Sequence, residues 1–156
     1  MVIVTNYMKK TILLAAVLVL VGGGCFSENT TPVTIDVPDN IVVGDEFDIS
    51  VNIENADKDP LFLHSIDIGN TYLGGVTVYA TEPEFSDLSD LIFEDMTSFA
   101  LKTDIAEETT TKIILKAKAT QAGIWIGGMD ICFDKGANCV YSHITTNVEE
   151  FLSETE

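Results

Sequence analysis

The sequence predicts an all-β domain, an antiparallel β-sandwich of seven or eight strands between residues 33 and 148. Apolar and polar residues alternate one by one through most of this region, which is the period of a strand with one buried face. Turn-forming residues interrupt the alternation at regular intervals, and no long run of helical period occurs. The only tryptophan, Trp125, falls on the apolar side of one of these strands.

The first strands are short and regular. Residues 33–37 (VTIDV) alternate, and the sequence Pro-Asp-Asn at 38–40 predicts a turn. Residues 46–55 (EFDISVNIEN) form the clearest strand. Its apolar face carries Phe47, Ile49, Val51 and Ile53. Residues 61–68 and 76–81 are two further strands, separated by glycine-containing turn signals.

The region near residues 85–95 breaks this rhythm. Ser86 suits the N-cap of a short helix, after which apolar residues recur with acids between them. The apolar side of that helix would carry Leu88, Leu91 and Ile92. The pattern predicts either this short helix or a loop that folds over the core as a lid.

Period two returns in the second half of the chain. Residues 98–103 form a weak strand and residues 109–120 a strong one. The apolar face of the strong strand carries Ile113, Leu115, Ala117 and Ala119, and its other face carries Lys112, Lys116 and Lys118. Outward lysines of this kind commonly protect sheet surfaces and edges from aggregation.

Residues 123–132 and 139–148 predict a final β-hairpin. Its core side carries Trp125, Met129, Ile131, Val140, Ile144 and Val148. Cys132 and Cys139 fall on the opposite side, where they can pair across the hairpin. Their spacing is not the CxxC of a redox or zinc motif, so a structural disulfide is predicted.

The first 24 residues predict an export signal. Lys9 and Lys10 precede an apolar run at 12–21, which is too short to span a bilayer, and Met8 is the predicted start. Three glycines and Cys25 follow, and this arrangement resembles the lipobox of bacterial lipoproteins. The resemblance implies that Cys25 carries a lipid; the alternatives are a plain secretory signal with an incidental cysteine, or an uncleaved anchor. The polar composition of the following residues predicts that residues 25–32 are the lipidated cysteine and a tether, and residues 149–156 are predicted to form an acidic tail.

Charge excludes one class of partner. All 25 acidic residues and only six of the eight basic ones follow the predicted signal, and arginine is absent. Such a chain lacks the cations that bind nucleic acid, so no nucleic-acid partner is predicted. Anionic headgroups would repel it, so the lipid is predicted to hold it on the outer side of the cytoplasmic membrane or at the cell surface. An even cysteine pair agrees with export to an oxidising compartment.

The sequence contains few parts for an enzyme. His64 and His143 are the only histidines, and no GxSxG, SxxK or HExxH motif accompanies them. His64 alternates with Phe62 and Ile66, so it is predicted to lie against the core or at a sheet edge. His143 is predicted on the outer face of its strand. Neither is expected to be catalytic.

Two binding hypotheses remain open. Calcium is one, because acids cluster in two places: Asp57 and Asp59, and Asp87, Asp90, Glu94 and Asp95. No DxDxDG loop is present, so a solvated acidic face is favoured, with no metal or cofactor. A sugar-stacking platform made by Tyr72, Tyr79 and Tyr141 is the other, and it requires exposed aromatics on one sheet.

Two phrases resemble a known group of domains. These are VGDEFDISVNIEN at 43–55 and ATQAGIWIG at 119–127. They are similar to small immunoglobulin-like sandwich domains of bacterial and archaeal surface proteins, including CARDB-type and cohesin-like modules. The resemblance implies an immunoglobulin-like fold and a non-catalytic interaction or structural role. A carbohydrate or cell-wall binding module is the alternative.

Overall fold

The computed structural model describes residues 31–136 and 138–150, which form two packed β-sheets. The four-stranded sheet has the order β1-β3-β8-β5. Its strands are β1 (Val33–Asp36), β3 (Glu46–Asn55), β5 (Val76–Glu82) and β8 (Thr109–Ala119). The six-stranded sheet has the order β2-β10-β9-β4-β7-β6. Its strands are β2 (Asn40–Val42), β4 (Leu61–Gly69), β6 (Asp87–Leu91), β7 (Met96–Ile105), β9 (Gly123–Phe133) and β10 (Asn138–Glu149).

The predicted β-sandwich is therefore confirmed, and the described residues contain ten strands rather than seven or eight. All neighbouring strands in the described ranges pair antiparallel except β2, which runs parallel to the end of β10. A helical turn, α1 (Asn70–Leu73), follows β4, and a 3-10 turn (Asp134–Gly136) joins β9 to the last strand.

The predicted helix or lid near 85–95 is wrong. Residues 87–91 are instead the edge strand β6, whose backbone pairs with β7 from Asp87 opposite Ala100 to Leu91 opposite Met96. Ser86 does not cap a helix, because its backbone N–H and its hydroxyl both bond to the carbonyl of Ala100. Backbone pairing with a neighbouring strand outweighs a short amphipathic pattern that has no tertiary partner of its own.

The core lies between the sheets and follows the alternation of the sequence. Ile49, Val51 and Ile53 of β3 are fully buried, as are Ile113 and Leu115 of β8. They face Ile66, Ile68, Met129 and Ile131 of the six-stranded sheet, all fully buried. Burying each such side chain contributes roughly 1.5–3 kcal/mol before the entropy of ordering is subtracted.

The two ends of the sandwich are distinct, and we call them the tether end and the far end. Val33, the first residue of β1, pairs with Ile53 near the end of β3, and β4 starts at Leu61 after a short connection. These residues mark the tether end. β4 runs from there to Gly69, which pairs with Met96. At about 3.3 Å per residue, the far end lies about 26 Å from the tether end.

Candidate functional site

Outward-facing residues of the six-stranded sheet enclose a groove of about 490 Å³, which we call the acidic groove. Its floor comes from neighbouring positions on the central strands of the sheet. The floor residues are Ser65, Asp67, Ser98, Asp130 and Cys132. The connection between β6 and β7 forms one wall, and Tyr141 of β10 stands at the other. The groove runs along the sheet from the β9–β10 turn, which contributes Gly136 and Cys139, to the β6–β7 connection at the far end.

Asp67 is the most buried charged group of the groove, with 7% of its surface exposed. The hydroxyl of Ser98, its pairing partner on β7, donates to its Oδ1 at 2.5 Å. Sγ of Cys132 lies 3.6 Å from the other oxygen, Oδ2. That sulfur belongs to a disulfide and carries no hydrogen, so the contact is not a hydrogen bond. Oδ2 therefore has no donor among the described residues.

Asp130 lies directly across from Asp67 on the neighbouring strand β9. Partial burial raises the pKa of Asp130 above its ordinary value, the negative charges of Asp67 and Glu94 raise it further, and His143 opposes them. Like charges on directly opposed cross-strand positions repel each other. The floor of the groove thus holds two directly opposed acids, and the charge of His143 opposes them only in part.

The wall formed by the β6–β7 connection is partly apolar and is held in place. Leu91, Glu94 and Met96 from this connection line the groove. The N–H of Asn70 donates to the carbonyl of Asp95 at 2.9 Å, and its side-chain amide donates to Oδ1 of the same residue. These bonds attach the connection to α1, so the wall has a defined position.

The tip of the same connection projects apolar side chains into solvent. Ile92 is 86% exposed and Phe93 is fully exposed. Leu91 and Glu94, the residues on either side of this pair, both line the groove. Two large apolar side chains therefore lie next to each other in solvent at the border of the groove.

The predicted Cys132–Cys139 disulfide is confirmed. The two residues are direct pairing partners on β9 and β10, with 4.1 Å between their Cα atoms. Both line the acidic groove at its tether-end side. A disulfide persists in oxidising compartments, and this favours an exported protein.

The two histidines lie in different surroundings. The prediction that His64 lies against the core or at a sheet edge is wrong, because β4 is a central strand and His64 lines the groove. A β-bulge between Leu63 and Ser65 changes the phase of the strand there. His64 Nδ1 is buried without a partner among the described residues. His143 is exposed on the outer face, as predicted.

The acids singled out in the sequence are not brought together as a metal site. The described ranges contain no group of three or more His, Cys, Asp or Glu residues arranged to hold a metal ion. Asp57 lies in the tether-end connection, where its N–H bonds to Asn55. Glu94 alone among these acids lines the groove, and Asp87 and Asp90 are exposed on β6.

The three tyrosines do not form a sugar-stacking platform. Tyr72 is fully buried on α1, and its hydroxyl lies 2.9 Å from Oγ1 of Thr146, which is fully buried as well. Burial raises the pKa of Tyr72, and the bond to Thr146 opposes that shift. Tyr79 and Tyr141 are exposed, but they lie on different sheets.

Sequence reasoning missed the pair at the floor of the groove, Asp67 and Asp130. One signal was available, because each acid stands directly between two large apolar residues, as IDI at 66–68 and MDI at 129–131. Such an acid faces away from the core, on the outer side of a strand that has neighbours on both sides. Their adjacency depends on the pairing of β4 with β9, which joins residues far apart in the chain.

Residue Cys25, the predicted signal and most of the tether lie outside the described residues. Within the described residues, no helix is long and apolar enough to cross a membrane.

Comparison with known proteins gives likeness of fold only. The chain matches no protein-family model, and no curated protein matches it. A family 123 glycoside hydrolase from Clostridium perfringens aligns with a TM-score of 0.47 and 10% identity over 74% of this chain, which spans 23% of the hydrolase. A cohesin module of a family 33 glycoside hydrolase from the same species gives a TM-score of 0.45 and 14% identity, covering 77% of this chain and 97% of the module. A membrane-anchored protein from Corynebacterium diphtheriae gives 0.44 and 11%, covering 83% of this chain and 38% of that protein.

Proposed function

We propose that the protein is an exported, lipid-anchored and non-catalytic module that presents the acidic groove to a protein partner on the outer side of the membrane. One observation carries the proposal. The acidic groove borders a solvated apolar pair, Ile92 and Phe93, at the far end of an otherwise ordinary sandwich. Interfaces combine an apolar anchor with polar groups that fix orientation.

The position of this surface agrees with a lipid anchor at Cys25. The chain enters the domain at Val33, and the β6–β7 connection lies at the opposite end of β4. A domain tethered through Val33 would therefore turn Ile92 and Phe93 away from the bilayer. The disulfide supports export, and the predicted signal supports the anchor.

The lining suits binding of a partner better than catalysis. Its polar groups are carboxylates, hydroxyls and the imidazole of His64, and the hydroxyl of Ser98 already donates to Asp67. Acceptors of this kind, beside the apolar surfaces of Leu91 and Met96, suit recognition of a partner with complementary charge.

Affinity capture from membranes of the source cells tests the proposal. The full chain should retain a stoichiometric protein partner, and Phe93→Ser should lose it because the exposed ring is removed. Tyr79→Ser is the matched control, since it removes an exposed ring from the other sheet. Equal capture by Phe93→Ser and the parent chain would contradict the proposed surface.

Two further measurements accompany the capture. Mass spectrometry of the mature N-terminus should show a diacylated Cys25 as the first residue, and an unmodified cysteine would remove the anchor. Migration in polysaccharide affinity gels should be unretarded, whereas retardation would favour the carbohydrate-binding alternative.

A further inference from the structure

We infer that the acidic groove receives an arginine side chain of the partner, with its guanidinium against Asp67 and Asp130 and its aliphatic stem along Leu91 and Met96. This inference rests on the proposed function and names the chemistry of its partner. It stands on four features of the groove: an unpaired buried acceptor, an excess of negative charge, an apolar wall and a suitable volume.

The unpaired acceptor is Oδ2 of Asp67. The carboxylate is more than nine-tenths buried, yet only Oδ1 receives a hydrogen bond, from Ser98. Its other oxygen faces a disulfide sulfur that has no proton to donate. A buried carboxylate oxygen without a donor is costly, and a charged N–H donor from outside would relieve that cost.

The excess charge comes from Asp67, Asp130 and Glu94. The ion pair present in the described ranges, between Lys116 and Glu82 at 3.0 Å, lies on the four-stranded sheet. No lysine therefore neutralises the groove by direct contact within the described residues. His143 is the basic group whose charge reaches Asp130, and it opposes the rise in the pKa of that carboxyl.

An organic cation fits this groove better than a metal ion does. Calcium takes six to eight oxygen ligands, and the described residues offer no cluster of three or more ligating side chains. The wall instead presents Leu91, Met96 and the exposed ring of Tyr141. Such surfaces accommodate the methylene stem of a long basic side chain and the face of its cationic head.

Arginine suits the site better than lysine. A guanidinium is planar, carries five donors and is more weakly hydrated than an ammonium, so it bridges two carboxylates at a lower desolvation cost. The groove volume of about 490 Å³ leaves room for the side chain together with bridging water.

Saturation-transfer NMR with the full chain and the peptide acetyl-Gly-Arg-Gly-amide tests the inference. Saturation should reach the Hγ and Hδ protons of the arginine, and the counterpart peptide with neutral citrulline should show none. Asp130→Asn and Asp67→Asn should each weaken binding by about tenfold or more, because a hydrogen bond to a charged group is lost. Asp48→Asn is the matched control, since it removes one exposed acid from the other sheet.

The possible outcomes separate this inference from the proposed function. Equal binding of the arginine and citrulline peptides, or displacement of the arginine peptide by calcium chloride at equal concentration, would overturn the inference. Membrane capture that depends on Phe93 but not on Asp130 would overturn it while leaving the proposed function in place. Arginine binding lost in Asp130→Asn, without any captured partner, would leave the groove chemistry and remove the proposed function. Circular dichroism of each variant shows whether it folds, and Asp130, which is less buried than Asp67, keeps the test decisive if Asp67→Asn does not.

Discussion

Substituting Gly75 with alanine should destabilise the domain through one identifiable overlap. A Cβ atom at this position would lie 1.9 Å from Cε2 and 2.0 Å from Nε1 of Trp125. The backbone cannot easily move away, because the carbonyl of Gly75 accepts the N–H of Thr120 at 2.8 Å. The indole ring must therefore leave its position against the core.

The size of the effect follows from what the ring loses. Overpacking a well-packed site costs about 1–3 kcal/mol. The indole Nε1 also donates to the carbonyl of Gln121 at 2.8 Å, and losing that bond costs about 0.5–1.5 kcal/mol. Together these lower the free energy of unfolding by about 2–4 kcal/mol, which for a domain of this size lowers Tm by roughly 8–16 °C.

Thermal unfolding and intrinsic fluorescence measure the result. Trp125 is the only tryptophan, so its emission reports this site without interference and should shift to longer wavelength as the ring becomes solvated. Gly128→Ala is the matched control, because the nearest atom to its added methyl group is Cε of Met96 at an ordinary 3.7 Å. If Gly75→Ala unfolds at the same temperature as Gly128→Ala with unchanged emission, the packing argument is refuted.

Three other predictions concern buried or linked groups. Tyr72→Phe should lower the unfolding free energy by about 1–2 kcal/mol in a denaturant titration, because the buried bond to Thr146 is lost; an unchanged midpoint would contradict this. Asp130→Asn should raise Tm at neutral pH, because the raised pKa means that ionising this carboxyl costs more in the folded than in the unfolded protein. That gain should vanish as the pH falls through the raised pKa toward the ordinary value, and a gain independent of pH would refute the linkage. Replacing Cys132 and Cys139 together by alanine should cost about 2.5 kcal/mol by calorimetry, the chain-entropy value for so short a loop, and an unchanged Tm would count against it.

Local patterns predicted most of the strands well. The strand at 46–55 has the predicted bounds, and residues 109–120 became Thr109–Ala119 with its lysines on the outer side. These predictions hold because alternation reports burial, and burial is the main term that holds a strand in a sandwich. The cysteine pair was predictable for a related reason, since a hairpin register is set within one short segment.

Prediction of the candidate site was weaker, because the site is built from distant residues. Asp67 and Asp130 face each other only because β4 pairs with β9, and the bulge beside His64 sets which residues of β4 face outward. The segment at 87–91 has no strong strand pattern, and it is a strand because β7 offers an unpaired edge. Neither effect leaves a signal in local periodicity.

The amino-acid sequence by itself determined the two-sheet class, the apolar faces and the crosslinked hairpin, because each depends on residues near one another in the chain. The tertiary structure alone decided that two acids share one groove, that Tyr72 is buried, and that Ile92 and Phe93 stand at the end opposite Val33. The physical reason is that sheet pairing joins strands that are far apart in the sequence. The electrostatic surroundings of Asp67 and Asp130 depend on that pairing. The leader and the lipid at Cys25 remain predictions of the sequence.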